Sequence, residues 1–176
     1  MLAIGIDPGT AITGYGLVRE NESGELEAVD WGVIRTPAKT EAAERLVHIY
    51  DSLNEILDRH KPDGAGVEEL FFQRNVSTAL SVGQARGVVL LALQRAGLAI
   101  SDYNPKEIKQ AITGYGSADK AQMQSMVRTL LKLPEIPKPD DAADALAVAI
   151  CHLHSARHRL LTQQSALAGE AEDGQS

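Results

Sequence analysis

Large and small side chains alternate along the first strand of this chain. Leu2, Ile4 and Ile6 face one way, Ala3, Gly5 and Asp7 the other, and Pro8-Gly9 ends the run. The bulky face calls for a side-chain core, whereas the bare face lets another backbone pack close. Residues 13–19 and 25–34 read as two more strands, joined by the polar turn Asn21-Glu22-Ser23-Gly24. Thr40 is placed to cap a helix over residues 41–60, with Leu46, Ile49, Leu53, Ile56 and Leu57 on one stripe. Pro62-Asp63-Gly64 then turns the chain into a fourth strand ending near Glu68, followed by an apolar helix over 77–96 and a fifth strand over 98–103.

Asn104-Pro105 opens a short helix, Ser117 with Asp119 starts another that runs to about residue 133, and the last helix spans about 140–160. Residues 161–176 are small, polar and acidic, and are expected to form a frayed, flexible tail beyond a single domain at 1–160. The order of elements predicts an α/β fold: one mixed five-stranded sheet that combines an antiparallel hairpin with parallel crossovers, with helices on both faces.

At 176 residues the chain can bury a substantial core. One cysteine, Cys151 in an apolar helix, excludes a disulfide framework and a thiolate metal site. No leader is evident and no apolar run approaches the ~20 residues of a spanning helix, so a cytosolic protein without a membrane partner is expected. The net charge of -7 is unevenly spread. Residues 19–63 carry six Lys/Arg against eleven Asp/Glu, whereas residues 69–132 carry eight against four, a division suited to one polyanion-facing side.

Asp7 and Glu68 both end strands, and a right-handed crossover lays such strand ends side by side, where ligands of open α/β sheets bind. Asp141 and Asp144 lie about 60° apart on the last helix, away from Leu146, Ile150 and Leu153. Four carboxylates in one pocket would raise one another's pKa until protons or cations neutralised them. That points to a pair of divalent cations and to chemistry on phosphate. Each piece also has an ordinary reading: aspartates in a first helical turn complement the helix dipole, and Asp7 before Pro-Gly is a common turn residue. The strand-Asp-Gly-Thr loop also resembles that of actin-like ATPases and sugar kinases. Those enzymes close a second lobe over the nucleotide, for which 176 residues leave no room.

Four segments, GIDPGTAITGYG, VEELFF followed by QARGV, NPKEIKQAITGYGSADKAQMQSMVRTLLKL, and PDDAADALAVAICHLH, run in order through residues 1 to about 160. Together they resemble the RuvC family of crossover junction endodeoxyribonucleases. The resemblance implies a ribonuclease-H-like fold, a homodimer, and resolution of four-way (Holliday) DNA junctions by paired incisions that leave 5′-phosphate and 3′-hydroxyl ends. It further implies two Mg²⁺ ions per site, replaceable by Mn²⁺, and work alongside a RuvA-RuvB branch-migration complex.

By the same resemblance, Asp7, Glu68, Asp141 and Asp144 are the metal-binding catalytic acids. Lys109 and Lys120 approach the scissile phosphate, and Phe71 stacks on or wedges beside junction bases; Arg74, in the same loop as Phe71, is placed to contact the DNA backbone. Helix geometry admits either Asp140 or Asp141 as partner to Asp144, and only motif alignment favours Asp141. Glu69 stands beside Glu68, which strand parity selects only if the strand is regular to its end. Gly83 and Gly87, four apart, permit close helix contact.

Overall fold

A computed structural model describes the backbone of residues 1–69 and 76–173; for residues 76–78 and 159–173 it describes the backbone alone. Five strands, β1 (Leu2–Asp7), β2 (Ile12–Glu20), β3 (Leu26–Arg35), β4 (Gly64–Glu68) and β5 (Ala99–Tyr103), form one mixed sheet in the order β3-β2-β1-β4-β5. β1 to β3 form an antiparallel meander, whereas β1, β4 and β5 run parallel. The crossovers are α1 (Ala42–His60) and α2 (Val76–Arg95), followed by α3 (Pro105–Thr113), α4 (Lys120–Leu130) and α5 (Asp140–Asp173).

The two faces of β1 have the two fates its alternation predicts. Leu2, Ile4 and Ile6 pack with Leu17, Ile49, Leu53, Leu57, Val89 and Leu93 in a core between the sheet and α1 with α2. Ala3 and Val18 join Leu146, Val148, Ile150 and Leu153 of α5 in a second core that also takes in α3 and α4. Glycine sets how closely α5 approaches this face. A Cβ on Gly5 would run into the backbone carbonyl of Ala145 and the amide of Ala149; one on Gly14 would meet the carbonyl oxygen of Asp141. Helix and sheet therefore touch backbone to backbone, and the start of α5 is seated beside the end of β1.

Three local readings differ from sequence expectation. α1 is capped at Glu41 without a side-chain hydrogen bond, and Thr40 instead offers its carbonyl to Nε of Arg45 at 3.1 Å. α4 starts from Asp119 rather than Ser117: Asp119 accepts from the amide of Gln122, whose side chain accepts in return from the amide of Asp119. α5 continues past residue 160 to Asp173, because residues 161–173 are mostly Leu, Gln, Ala and Glu, which are good helix formers. Asn104 caps α3 as expected, with Glu107 completing the reciprocal pair.

Candidate active site

Ile6 pairs with Val67 across the parallel β1-β4 ladder, so the next residues along, Asp7 and Glu68, stand side by side at the carboxyl edge of the sheet. Both point to the α5 face, as do their glycine neighbours Gly5 and Gly66. Their carboxyl groups hydrogen-bond to each other. α5 brings Asp141 and Asp144 over the same point from above. Burial, reinforced by the negative charges of Asp144 and Asp141, pushes Asp7 up to about 6. Burial, then Asp7 and Asp144, pushes Glu68 up to about 8. Near neutral pH this pair therefore holds a shared proton. Burial also raises Asp144, and the Lys120 ammonium opposes that rise.

The neighbouring acids separate cleanly. Asp140 faces outward and accepts from Lys120 Nζ at 3.0 Å and from Gln124 Nε2 at 3.0 Å, which hold it below its ordinary value. Asp141 is half-buried and its charge acts on Asp7. Glu69 is exposed, and its amide continues the ladder to the carbonyl of Tyr103, which leaves Glu68 as the glutamate in the cluster.

Lys120, the first residue of α4, also reaches Asp144 at 3.5 Å. Lys109 stands in the middle of α3 rather than at its start. Both lysines line one cavity of about 210 Å³ together with Glu68, Asp144 and an apolar floor that includes Ile108 and Met123. Phe71 and Arg74 lie outside the described residues.

A second, larger cavity of about 630 Å³ opens beside Asp141 and shares no lining residue with the first. Arg45 lines it, and nothing in the amphipathic pattern of α1 distinguishes this arginine from a solvent-facing one.

Among the described residues, no three acidic, histidine or cysteine side chains are drawn together as a ready cation cage. The positions that call for positive charge are taken by the proton shared between Asp7 and Glu68 and by the Lys120 ammonium on Asp144. The donor chemistry nevertheless fits hard divalent cations: only carboxylate oxygens converge, and their raised proton affinity marks an excess of negative charge.

Comparison with known proteins identifies the family and the fold. Residues 3–152 match the family model described as "Crossover junction endodeoxyribonuclease RuvC". A relative of that name from Heliobacterium modesticaldum is 59% identical over 155 residues, covering 88% of this chain and 95% of its own. One from Syntrophomonas wolfei is 51% identical over 171 residues, covering 97% and 99%. Among solved structures, Thermus thermophilus RuvC in complex with a Holliday junction substrate superposes with a TM-score of 0.82 at 36% identity, covering 90% of this chain and 96% of that one. The yeast mitochondrial resolvase Ydc2, at 14% identity and a TM-score of 0.62, shares the fold.

Proposed function

The chain belongs to the RuvC family of crossover junction endodeoxyribonucleases, and from that premise we propose that it cuts four-way DNA junctions by divalent-dependent hydrolysis at Asp7, Glu68, Asp141 and Asp144. The observation that carries this reading is that Asp7, Glu68 and Asp144, from three separate element ends, lie near enough for the carboxylate charge of Asp144 to raise both of the others. These oxygens would hold a pair of cations (Mg²⁺, with Mn²⁺ as substitute), which would supply positive charge for an in-line displacement at phosphorus. Asp7 and Glu68, half-withdrawn from solvent, hold their carboxyl groups side by side at the strand ends. Lys109 and Lys120 present ammonium groups on the neighbouring cavity wall, where they bind phosphate oxygens and offset charge developing on them.

Cuts of this kind leave 5′-phosphate and 3′-hydroxyl ends that a ligase can seal. That suits homologous recombination and DNA repair after branch migration by a RuvA-RuvB complex. Paired cuts need two sites, and α2 offers a face for a second copy of the chain. Leu80 and Leu91 are 66% and 54% exposed, and Gly83 and Gly87 between them leave open space.

The test compares a synthetic four-way junction with a linear duplex of the same sequence, each incubated with the protein in Mg²⁺, in Mn²⁺ and in chelator, with an ATP hydrolysis assay alongside. Paired nicks confined to the junction and dependent on the divalent ion are expected. ATP turnover without nicking, equal cutting of the duplex, or junction binding without incision would each sink the proposal.

A further inference from the structure

A strand cut at the acid cluster must continue away from it in both directions. The cavity lined by Lys109 and Lys120 opens at Glu68 and Asp144, whereas the separate 630 Å³ groove opens at Asp141, with Arg45 as the cation among its described lining residues.

Arg45 is unusually well fixed for an arginine near a surface. Its Nε donates to the carbonyl of Thr40 at 3.1 Å, and one terminal nitrogen donates to Oγ1 of Thr36 at 3.3 Å. Thr36, itself buried, donates to the carbonyl of Thr10 at 2.7 Å, and Thr10 donates through its own hydroxyl to the carbonyl of Ser81 at 2.7 Å. The start of α1, the end of β3, the loop after Asp7 and α2 are thereby tied to one guanidinium. Its remaining N–H donors have no partner among the described residues. A planar fork held by its inner edge is preorganised for a phosphodiester, since little side-chain freedom is lost on binding.

The rest of the groove fits a sugar-phosphate chain rather than a base. Gly9, Ala11, Ile12 and Val82 give small or apolar walls, and among the described residues the lining contains no aromatic ring to stack on and no Asn or Gln to read a base edge. We propose that this groove seats the backbone of the cleaved strand on the side of the cut opposite the two lysines, with Arg45 gripping a phosphate there, independently of sequence. The inference rests on the acid cluster being the cutting site.

The test uses junctions in which single phosphates flanking the cut are replaced, one at a time, by uncharged methylphosphonates. Binding is measured in Ca²⁺ and cleavage in Mg²⁺. With the unaltered protein, one replacement on the side away from the lysines should weaken binding about 3- to 10-fold, and in Arg45→Ala the same replacement should have no further effect. Arg45→Ala should also lower the slope of log affinity against log salt by about 0.9, and Arg45→Lys should fall between the two.

Because Arg45 also braces the loop after Asp7, the methylphosphonate pattern of the unaltered protein, which needs no variant, decides the matter if Arg45→Ala folds poorly. Undiminished methylphosphonate sensitivity in Arg45→Ala, or no sensitive phosphate on that side, would overturn the inference. Failure of the unaltered protein to cut any junction would instead remove the reading of the acid cluster.

Discussion

The ammonium of Lys120 lies 3.0 Å from Asp140 and 3.5 Å from Asp144, so one cation bridges an exposed acid and a half-buried one. Gln124, one turn along α4, steadies Asp140 from the same side. Asp140 therefore competes with Asp144 for Lys120, which on the proposed reading leaves the half-buried carboxylate freer to take a metal.

Replacing Asp140 with alanine should shift Lys120 toward Asp144 and raise the Mg²⁺ concentration for half-maximal cleavage several-fold. Asp140→Glu should recover part of the loss. In a Lys120→Ala background the same change should have almost no effect, because the two residues act as a pair. Metal titrations of the four proteins check this, and equal effects in both backgrounds would exclude the coupling.

Asp7→Asn replaces one carboxylate oxygen of the proposed metal site by an amide nitrogen while leaving the cationic surfaces intact. Cleavage should fall by more than about 100-fold, which is the upper cost of losing merely an outer-shell partner of a metal ligand. Junction binding, followed by gel shift in Ca²⁺, should change little. Equal cleavage by the variant would take Asp7 out of the chemistry.

Lys109→Ala should weaken junction binding at moderate salt and flatten its salt dependence by about 0.9 in the log-log slope, the change expected when one phosphate is no longer neutralised. An unchanged slope would return Lys109 to the solvated surface.

Without metal, the acid cluster should make stability depend on pH in an uncommon direction. Asp7 and Glu68 titrate at about 6 and about 8 in the folded chain, above the values of 3.8 and 4.5 expected for exposed carboxyls. Between about pH 4 and 8 the folded chain keeps protons that the unfolded chain has released, so this contribution falls as pH rises. In chelator, the melting temperature of the parent should drop relative to Glu68→Gln between pH 5 and 8.5, and Mg²⁺ should narrow the gap. A gap that stays constant with pH would contradict the shared proton.

Gly5→Ala should lower stability by about 3 kcal/mol, at the upper end of overpacking costs, because the new methyl meets α5 backbone rather than a side chain that can turn aside. Activity should fall further than stability implies, since the displaced helix carries Asp141 and Asp144. Urea unfolding and cleavage assays on the same samples test both parts.

Much of this site is legible from the chain alone, for physical reasons that can be named. A period of two places Asp7 on the bare face of β1, and strand order places Glu68 beside it, because parallel crossovers have one hand. Helix geometry alone leaves Asp140 and Asp141 equivalent, and motif alignment favours Asp141; that Lys120 and Gln124 engage Asp140 across the α4-α5 contact is a tertiary relationship with no trace in the sequence. Sequence misplaces the caps at Thr40 and Ser117, where several eligible side chains crowd one helix start and backbone dihedrals decide among them. Arg45 gives no signal at all. Its position is set by Thr36 and Thr40, and a single cation on an amphipathic helix has the same periodicity whether it grips phosphate or water.

Because two of the four acids ride on α5, which follows every other described element, while the others come from β1 and β4, the reactive centre is completed only once that helix has been made. A polypeptide still emerging from the ribosome carries its halves of the blade unjoined. On the proposed assignment of the four acids, a nascent copy would stay unable to cut until the stretch encoding α5 had been translated.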